Sequence, residues 1–253
     1  MRRRRAGKLP PTQMTLLKPP IHIFTDFDGT ITREDLGDAL FMEFGDFAGH
    51  YPRLQAGELT VPEYWKRVVA SLRRGLAPDD VRAWALRQSA DDSFAPFVEF
   101  CKERSLPLSV VSDGFDAFSH QILEREGAGE IPRFCNRLLF KGGVFSPLFP
   151  RRDEACSCFC ASCKRNAVLR SAPPEALIVY IGDGYSDFCA AEHADVIFAK
   201  KSLAAHCNRL RLPHYPFVHF ADVQRILTQL LTRRRLKYRH QATLRRKEAF
   251  EVE

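Results

Sequence analysis

The chain has 253 residues, 45% of them hydrophobic and 27% charged, enough for one α/β domain with an insertion and unlike the composition of a disordered chain. Its net charge of +7 sits at the ends: residues 1–25 hold six basic groups and no acid, residues 228–253 hold eight basic and three acidic groups, and residues 26–227 carry −4. A negative body argues against a basic groove that tracks phosphates, so nucleic acid is not the expected main partner. Arg2-Arg3-Arg4-Arg5 is followed by a Pro-rich stretch, not by the apolar h-region of an export signal. No apolar run approaches the ~18–20 residues that span a bilayer, so the expected location is the cytoplasm, with no membrane partner. Eight cysteines, four of them within residues 156–163, do not form the pattern of a secreted disulfide framework. The sequence carries no signal for an oligomeric state.

Pro10, Pro11, Pro19 and Pro20 make residues 1–20 a basic, Pro-rich terminus without regular structure. A β-branched, aromatic run predicts the first strand at about 21–27. From Arg33 to Ala90 the pattern is helical: Leu36, Leu40, Phe44 and Phe47 fall at three- and four-residue spacings, and Tyr64, Val68 and Leu72 repeat them. Pro62 with Glu63 opens one helix, and Pro78-Asp79-Asp80 opens another. This predicts a small helical cap at 33–90, inserted into a catalytic core made of 21–32 and 91–232. Helices are expected at Ala95–Arg104, Asp116–Glu126, Lys164–Ser171, Ser186–His193 and 222–232. Strands are expected at Leu106–Val111, Ala176–Ile181 and Val196–Ala199, with a hairpin over 136–149 around Gly142-Gly143. Residues 233–253 read as a basic, solvated tail. The alternation predicts an α/β fold: a doubly wound, mostly parallel, Rossmann-like sheet with ligands at the carboxyl ends of its strands.

Four of those ends or helix starts carry polar chemistry. Asp26 and Asp28 leave the first strand at i and i+2, on one face and near one another, followed by Gly29-Thr30. Two such carboxylates repel unless a cation lies between them. Ser112-Asp113-Gly114 ends the second strand with a hydroxyl and amides able to hold phosphate oxygens. Lys164 opens a helix, and Asp183 and Asp187 follow the strand at 176–181 around glycine. Each alone has a plainer reading as a capped strand-to-helix turn or a solvated lysine; their order along the chain argues for a site.

Asp26-Phe27-Asp28-Gly29-Thr30, Ser112, Lys164 and Gly182-Asp183-Gly184-Tyr185-Ser186-Asp187 resemble the four motifs of the haloacid dehalogenase superfamily of phosphohydrolases. The helical insertion after the first motif is similar to the subgroup that includes phosphoserine phosphatases. Residues 112–118, 163–164, 182–187, 198–200 and 215–217 look like the branch typified by the methionine-salvage 2-hydroxy-3-keto-5-methylthiopentenyl-1-phosphate phosphatase. The resemblance implies an enzyme acting on a small phosphorylated metabolite, with Asp26 forming an aspartyl-phosphate and Asp28 acting as acid and base. It implies Mg²⁺ held by Asp26, the Asp28 carbonyl and Asp183, with support from Asp187. Ser112, the Asp113 and Gly114 amides, and Lys164 would bind the phosphoryl oxygens. Asp35 stands nine residues after Asp26, where phosphoserine phosphatases carry a glutamate for the substrate's amino group. A substrate contact and a helix-surface aspartate are both open there, and phosphoserine and pyridoxal phosphate stand as alternative substrates.

Two features remain. Cys156, Cys158, Cys160 and Cys163 suggest zinc by residue type, but alternate thiols in so short a segment strain a tetrahedron, and reduced cysteines are the expected state. The basic ends supply a rival class, an RNA-binding protein, unsupported by any RNA-binding motif.

Overall fold

The computed structural model describes residues 19–152, 160–232 and 236–251. Its sheet is built around β1 (Ile21–Thr25), which pairs in parallel with β2 (Leu108–Phe115) and with β5 (Leu177–Gly182). β3 (Arg133–Lys141), β4 (Val144–Leu148), β6 (Val196–Ala199) and β7 (Tyr215–Pro216) complete the order β4-β3-β2-β1-β5-β6-β7. Within this sheet, among the described residues, only β3 and β4 pair antiparallel. From β1 the chain moves outward through β2 and β3, then returns to the other side of β1 as β5. The carboxyl end of β1 is therefore a topological switch point, where helices diverge and leave a crevice.

Alternation along β1 divides the core. Ile23 points into one apolar layer and Phe24 into the other. The first layer continues into the insertion, formed by α1 (Leu36–Phe44), α2 (Phe47–Gln55), α3 (Val61–Ala70) and α4 (Pro78–Leu86). α3 starts where the sequence dictates: the Thr60 amide donates to Glu63 Oε2 (2.9 Å), Pro62 occupies the first turn, and Tyr64, Trp65, Val68 and Val69 are buried. Trp65 meets Phe115 edge-on, with ring centroids 5.1 Å apart, which seats α3 over the end of β2. Two chain crossings join insertion and core, with Arg33 N donating to Ser89 O and Asp91 N to Ile31 O.

The core helices are α5 (Phe94–Glu103), α6 (Asp116–Arg125), α7 (Lys164–Ser171), α8 (Phe188–Glu192), α9 (Lys201–Arg209), α10 (Phe220–Thr232) and α11 (His240–Glu251). No helix among the described residues is long and apolar enough to cross a membrane. β2 does not stop at Val111 but continues through Ser112, Asp113 and Gly114 to Phe115, its register against β3 shifting between Val111 and Phe115. The stretch 186–193 is a 3-10 turn (Tyr185–Asp187) followed by the shorter α8.

The C-terminal segment corrects the expected solvated tail. Arg239 donates to the carbonyls of Ala191, Glu192 and Ala194, and Arg246 to the carbonyl of His193 and both oxygens of Asp195. The carbonyls of Glu192, His193 and Ala194 lie at or just past the end of α8, so the arginines cap that helix, while the Ala191 carbonyl also accepts the Ala194 amide. Charge counting could not reveal this, because the acceptors lie some fifty positions away in sequence. Residues 1–18, Cys156, Cys158 and residues 233–235, 252 and 253 lie outside the described residues. Cys163 is buried at the start of α7 and Cys160 is half-buried.

Candidate active site

Asp26 follows β1 and keeps the sheet's pairing, its amide donating to Ile181 O at 2.8 Å. The next turn depends on Gly29, whose φ of +71° lies in the left-handed region and whose β-carbon would stand 2.6 Å from Asp183 Oδ2. Thr30 Oγ1 donates to Asp183 Oδ1 at 3.1 Å and so ties the ends of β1 and β5 together. Asp28 points to β2: Ser112 Oγ donates to its Oδ2 (3.0 Å) and the Leu36 amide to its Oδ1 (3.2 Å). The Gly114 amide donates to Ser112 Oγ at 2.8 Å.

Lys164 lies beneath the acids. Its ammonium donates to Asp26 Oδ1 at 2.5 Å and to Asp187 Oδ1 at 2.7 Å, and it is 2% exposed. Burial opposes its charge, but Asp187 and Asp26 outweigh that and hold its pKa above the ordinary lysine range. Asp26 is pushed well above the carboxylate range by burial, then by the charge of Asp187, against the pull of Lys164. Asp28 is raised to about 8 by burial and by the charge of Asp35. Asp113 is raised to about 6 by burial, although the amides of Ser162 and Ala161 donate to its Oδ1 at 2.6 and 2.8 Å. Its side chain is thus committed to the loop before α7, and its carbonyl accepts Asn136 Nδ2 at 2.7 Å.

One carboxylate oxygen from each of Asp26, Asp183 and Asp187 lies within 4.8 Å of the others. Against these three charges stand Lys164 and Lys201, the latter donating to Asp183 Oδ2 at 2.9 Å. An excess of buried negative charge and an all-oxygen donor set fit a hard divalent cation. Asp187 differs from the other two. Its Oδ1 accepts from Lys164 and Tyr180, and its Oδ2 accepts from the amides of Asp183 and Gly184, both at 2.9 Å. With about four lone-pair sites on a carboxylate, all are engaged, and Asp187 holds the loop that presents Asp183. Gly182 makes room, since a β-carbon there would lie 2.6 Å from Asp187 Oδ2.

A cavity of about 250 Å³ opens over this cluster and is lined by Asp26, Asp28, Asp113, Gly114, Lys164 and Asp183. Asp35 lines it from the insertion side, where its Oδ1 also accepts the Asp38 amide at 3.0 Å and caps α1. The structure brings every site residue singled out in the sequence to this cavity or one hydrogen bond from it. Sequence reasoning missed Thr30, Tyr180 and Lys201. Tyr180 had a signal in strand alternation, which puts it on the face of Gly182; Lys201 had none, because its partner Asp183 lies across a strand crossover.

Buried carboxylates at a switch point, a lysine among them and the Ser112-Asp113-Gly114 strand end beside them are what a phosphoryl group needs for binding and attack. The class they define is the α/β phosphatases. The family model of haloacid dehalogenase-like hydrolases matches residues 23–192, and the chain belongs to that family, as a phosphatase. A relative from Brevibacillus brevis, a 2-hydroxy-3-keto-5-methylthiopentenyl-1-phosphate phosphatase, is 31% identical over 82% of this chain and 95% of its own. Another of that name, from Geobacillus kaustophilus, is 33% identical over 79% of this chain and 92% of its own. Among solved structures, a phospho-aspartyl intermediate analogue of phosphoserine phosphatase superposes with a TM-score of 0.63 at 20% identity, covering 84% of this chain and 99% of the other.

Proposed function

We propose that this phosphatase is magnesium-dependent and hydrolyses a small phosphate monoester through an aspartyl-phosphate on Asp26, its substrate a keto-enol phosphate of the methionine-salvage kind. The observation that carries the reading is the buried Asp26 at the switch point, with the Lys164 ammonium 2.5 Å from Oδ1 and Asp183 beside it. Uncatalysed phosphate monoester hydrolysis is among the slowest of biological reactions, and a covalent intermediate divides it into two lower barriers. The Lys164 ammonium pulls Asp26 toward its charged form against burial, and the charged oxygen is the one that attacks phosphorus as the bond to the leaving oxygen breaks. Asp28, raised to about 8, carries the proton that the leaving oxygen takes. It then accepts a proton from the water that attacks phosphorus and releases Asp26.

Ser112 Oγ and the amides of Asp113 and Gly114 hold the equatorial oxygens, where charge spreads in the transition state. Magnesium would be held by Asp26, Asp183 and the Asp28 carbonyl, and would supply charge neutralisation between carboxylate and phosphate. Asp187 positions Asp183 and Lys164. The substrate's identity is supported by the relatives' names. Asp35 on the cavity wall favours phosphoserine as the second reading.

Hydrolysis of p-nitrophenyl phosphate, with and without Mg²⁺ and after EDTA, tests the reading. Activity is expected only with the metal, and none in Asp26→Asn, whose amide cannot form the acyl-phosphate. Full activity in that variant would overturn the mechanism.

A further inference from the structure

Among the described residues, two cations line the cavity, and they are held differently. Lys164 is buried and bonded to two acids. The Lys201 side chain is 56% exposed, and its ammonium rests on one oxygen, Asp183 Oδ2, at 2.9 Å. The other oxygen of Asp183 accepts Thr30 Oγ1. Backbone strain brings Lys201 to this place. Among the described residues, Ser105, Lys201 and Arg211 are the non-glycine residues with a positive φ. Ser105 and Arg211 lie just past the ends of α5 and α9, where a left-handed residue commonly closes a helix. Lys201, at φ +45°, begins α9 instead, so a conformation that costs free energy in any residue with a β-carbon needs another account there. The start of α9 is fastened to the Asp183 loop on both sides of Lys201: Lys200 N donates to Gly182 O at 3.2 Å, and Leu203 N to Asp183 O at 2.9 Å. The side chain of Lys200 is directed elsewhere, its ammonium 4.9 Å from the centroid of the Phe217 ring. The strained turn thus separates two consecutive lysines and sends one of them to Asp183.

We propose that Lys201 competes with the divalent cation for Asp183 Oδ2 and so sets how tightly the centre holds its metal; this rests on the magnesium reading above. A carboxylate oxygen engaged by an ammonium is a poorer ligand for a hard cation, and a dication sharing that oxygen with the ammonium is repelled by it. Lys164 cannot act in this way, since Asp26 and Asp187 enclose its ammonium beneath the cluster. The exposed, flexible stem of Lys201 lets its ammonium leave Oδ2 for solvent when the metal takes that oxygen. Asp183 keeps an opposite charge at Oδ2 with either partner, and the metal is held exchangeably.

Calorimetric titration of the full chain with MgCl2 tests this without turnover. Lys201→Met keeps an unbranched stem and removes the charge. It should bind Mg²⁺ about tenfold or more tightly than wild type, the scale of repulsion between a dication and an ammonium a few ångströms apart even in water. Lys201→Arg should bind Mg²⁺ as wild type does, and Lys200→Met, which removes a charge one residue away, should tighten binding far less than Lys201→Met. Unchanged Mg²⁺ affinity in Lys201→Met would overturn the proposal. Weaker binding would do so too, and is the result expected of a lysine that merely holds the Asp183 loop in place. Equal tightening by Lys200→Met would also overturn it, because net charge and not the bond to Oδ2 would then be the cause. No Mg²⁺ binding by wild type or variant would instead remove the magnesium reading, and this proposal with it.

Discussion

A β-carbon on Gly114 would stand 2.5 Å from Oδ2 of Asp28. The strand that brings Ser112 therefore approaches the acid of β1 at a separation that only glycine allows, and Ser112 Oγ reaches the same oxygen at 3.0 Å. Gly114→Ala should push the Asp28 carboxyl aside and break that bond while leaving Asp26 and Lys164 in place. Turnover is expected to fall by about 10²-fold, the penalty of a small misplacement of a catalytic group. Thermal unfolding should change little by comparison. An alanine variant with wild-type kcat would show that the carboxyl need not occupy this position.

Asp28→Asn separates proton transfer from nucleophilic attack. The backbone carbonyl is unchanged, so Mg²⁺ binding should persist, while loss of the acid should cost about 10²–10⁴ in kcat. The comparison is pre-steady-state release of p-nitrophenol against Mg²⁺ titration. Unchanged turnover would mean that another group supplies the proton.

Lys164→Met tests the charge balance under Asp26. Removing the ammonium strands two carboxylates that are 5% and 0% exposed in their side chains, and unpaired buried charges typically cost about 3–5 kcal/mol. Protonation of the acids limits the loss, so the destabilisation should shrink as pH falls. Urea unfolding at several pH values is the measurement, and added MgCl2 should recover part of the deficit. Equal stability of variant and wild type at neutral pH would contradict the assignment.

Asp113 offers a pH dependence of stability with a defined sign. Burial raises its folded pKa from the ordinary 3.8 to about 6, against the two amides that favour its charge. Between those values the folded state binds the proton more tightly than the unfolded chain, so this residue's contribution to stability falls as pH rises. Asp113→Asn keeps an acceptor for the Ala161 and Ser162 amides and has no proton to lose. Its stability relative to wild type should improve by about 2 kcal/mol between roughly pH 4 and pH 6 and level off about one pH unit higher. A difference that is flat across this window, or that reverses, would show that the amides outweigh burial.

The C-terminal arginines make a prediction that separates a structural role from RNA binding. Removing residues 233–253 would leave the Asp195 carboxylate, fully buried in its side chain, with the Ile178 amide alone, and the last carbonyls of α8 uncapped. Loss of a buried partner of this kind destabilises by about 3–5 kcal/mol, and Asp195→Asn in the truncated chain should return part of it. A truncated protein that melts at the wild-type temperature would show that the segment clamps nothing. Salt-sensitive RNA binding that vanishes with the same truncation would favour the rival class.

Local pattern was enough to place β1 before Asp26, the helix starts at Pro62 and Pro78, the turn at Gly142-Gly143 and the alternation that makes a doubly wound sheet. These depend on neighbours within a few residues: periodicity chooses the element, and proline, glycine and capping acids set its ends. The candidate acids, Ser112 and Lys164 were visible for the same reason, since each sits where a strand stops or a helix begins. What the pattern could not contain was the pairing across 84 positions of Ser112 with Asp28, or across 138 of Lys164 with Asp26. The engagement of all Asp187 oxygens, the arrival of Lys201 at Asp183 and the docking of Arg246 on Asp195 have the same origin. Each depends on which strand ends the sheet order sets side by side, and a hydrogen bond between distant residues leaves no period in the chain that makes it. The sequence alone therefore determined which residues could do the chemistry, and the tertiary structure decided which of them hold one another, because burial and opposite charge act only once the crossovers have closed.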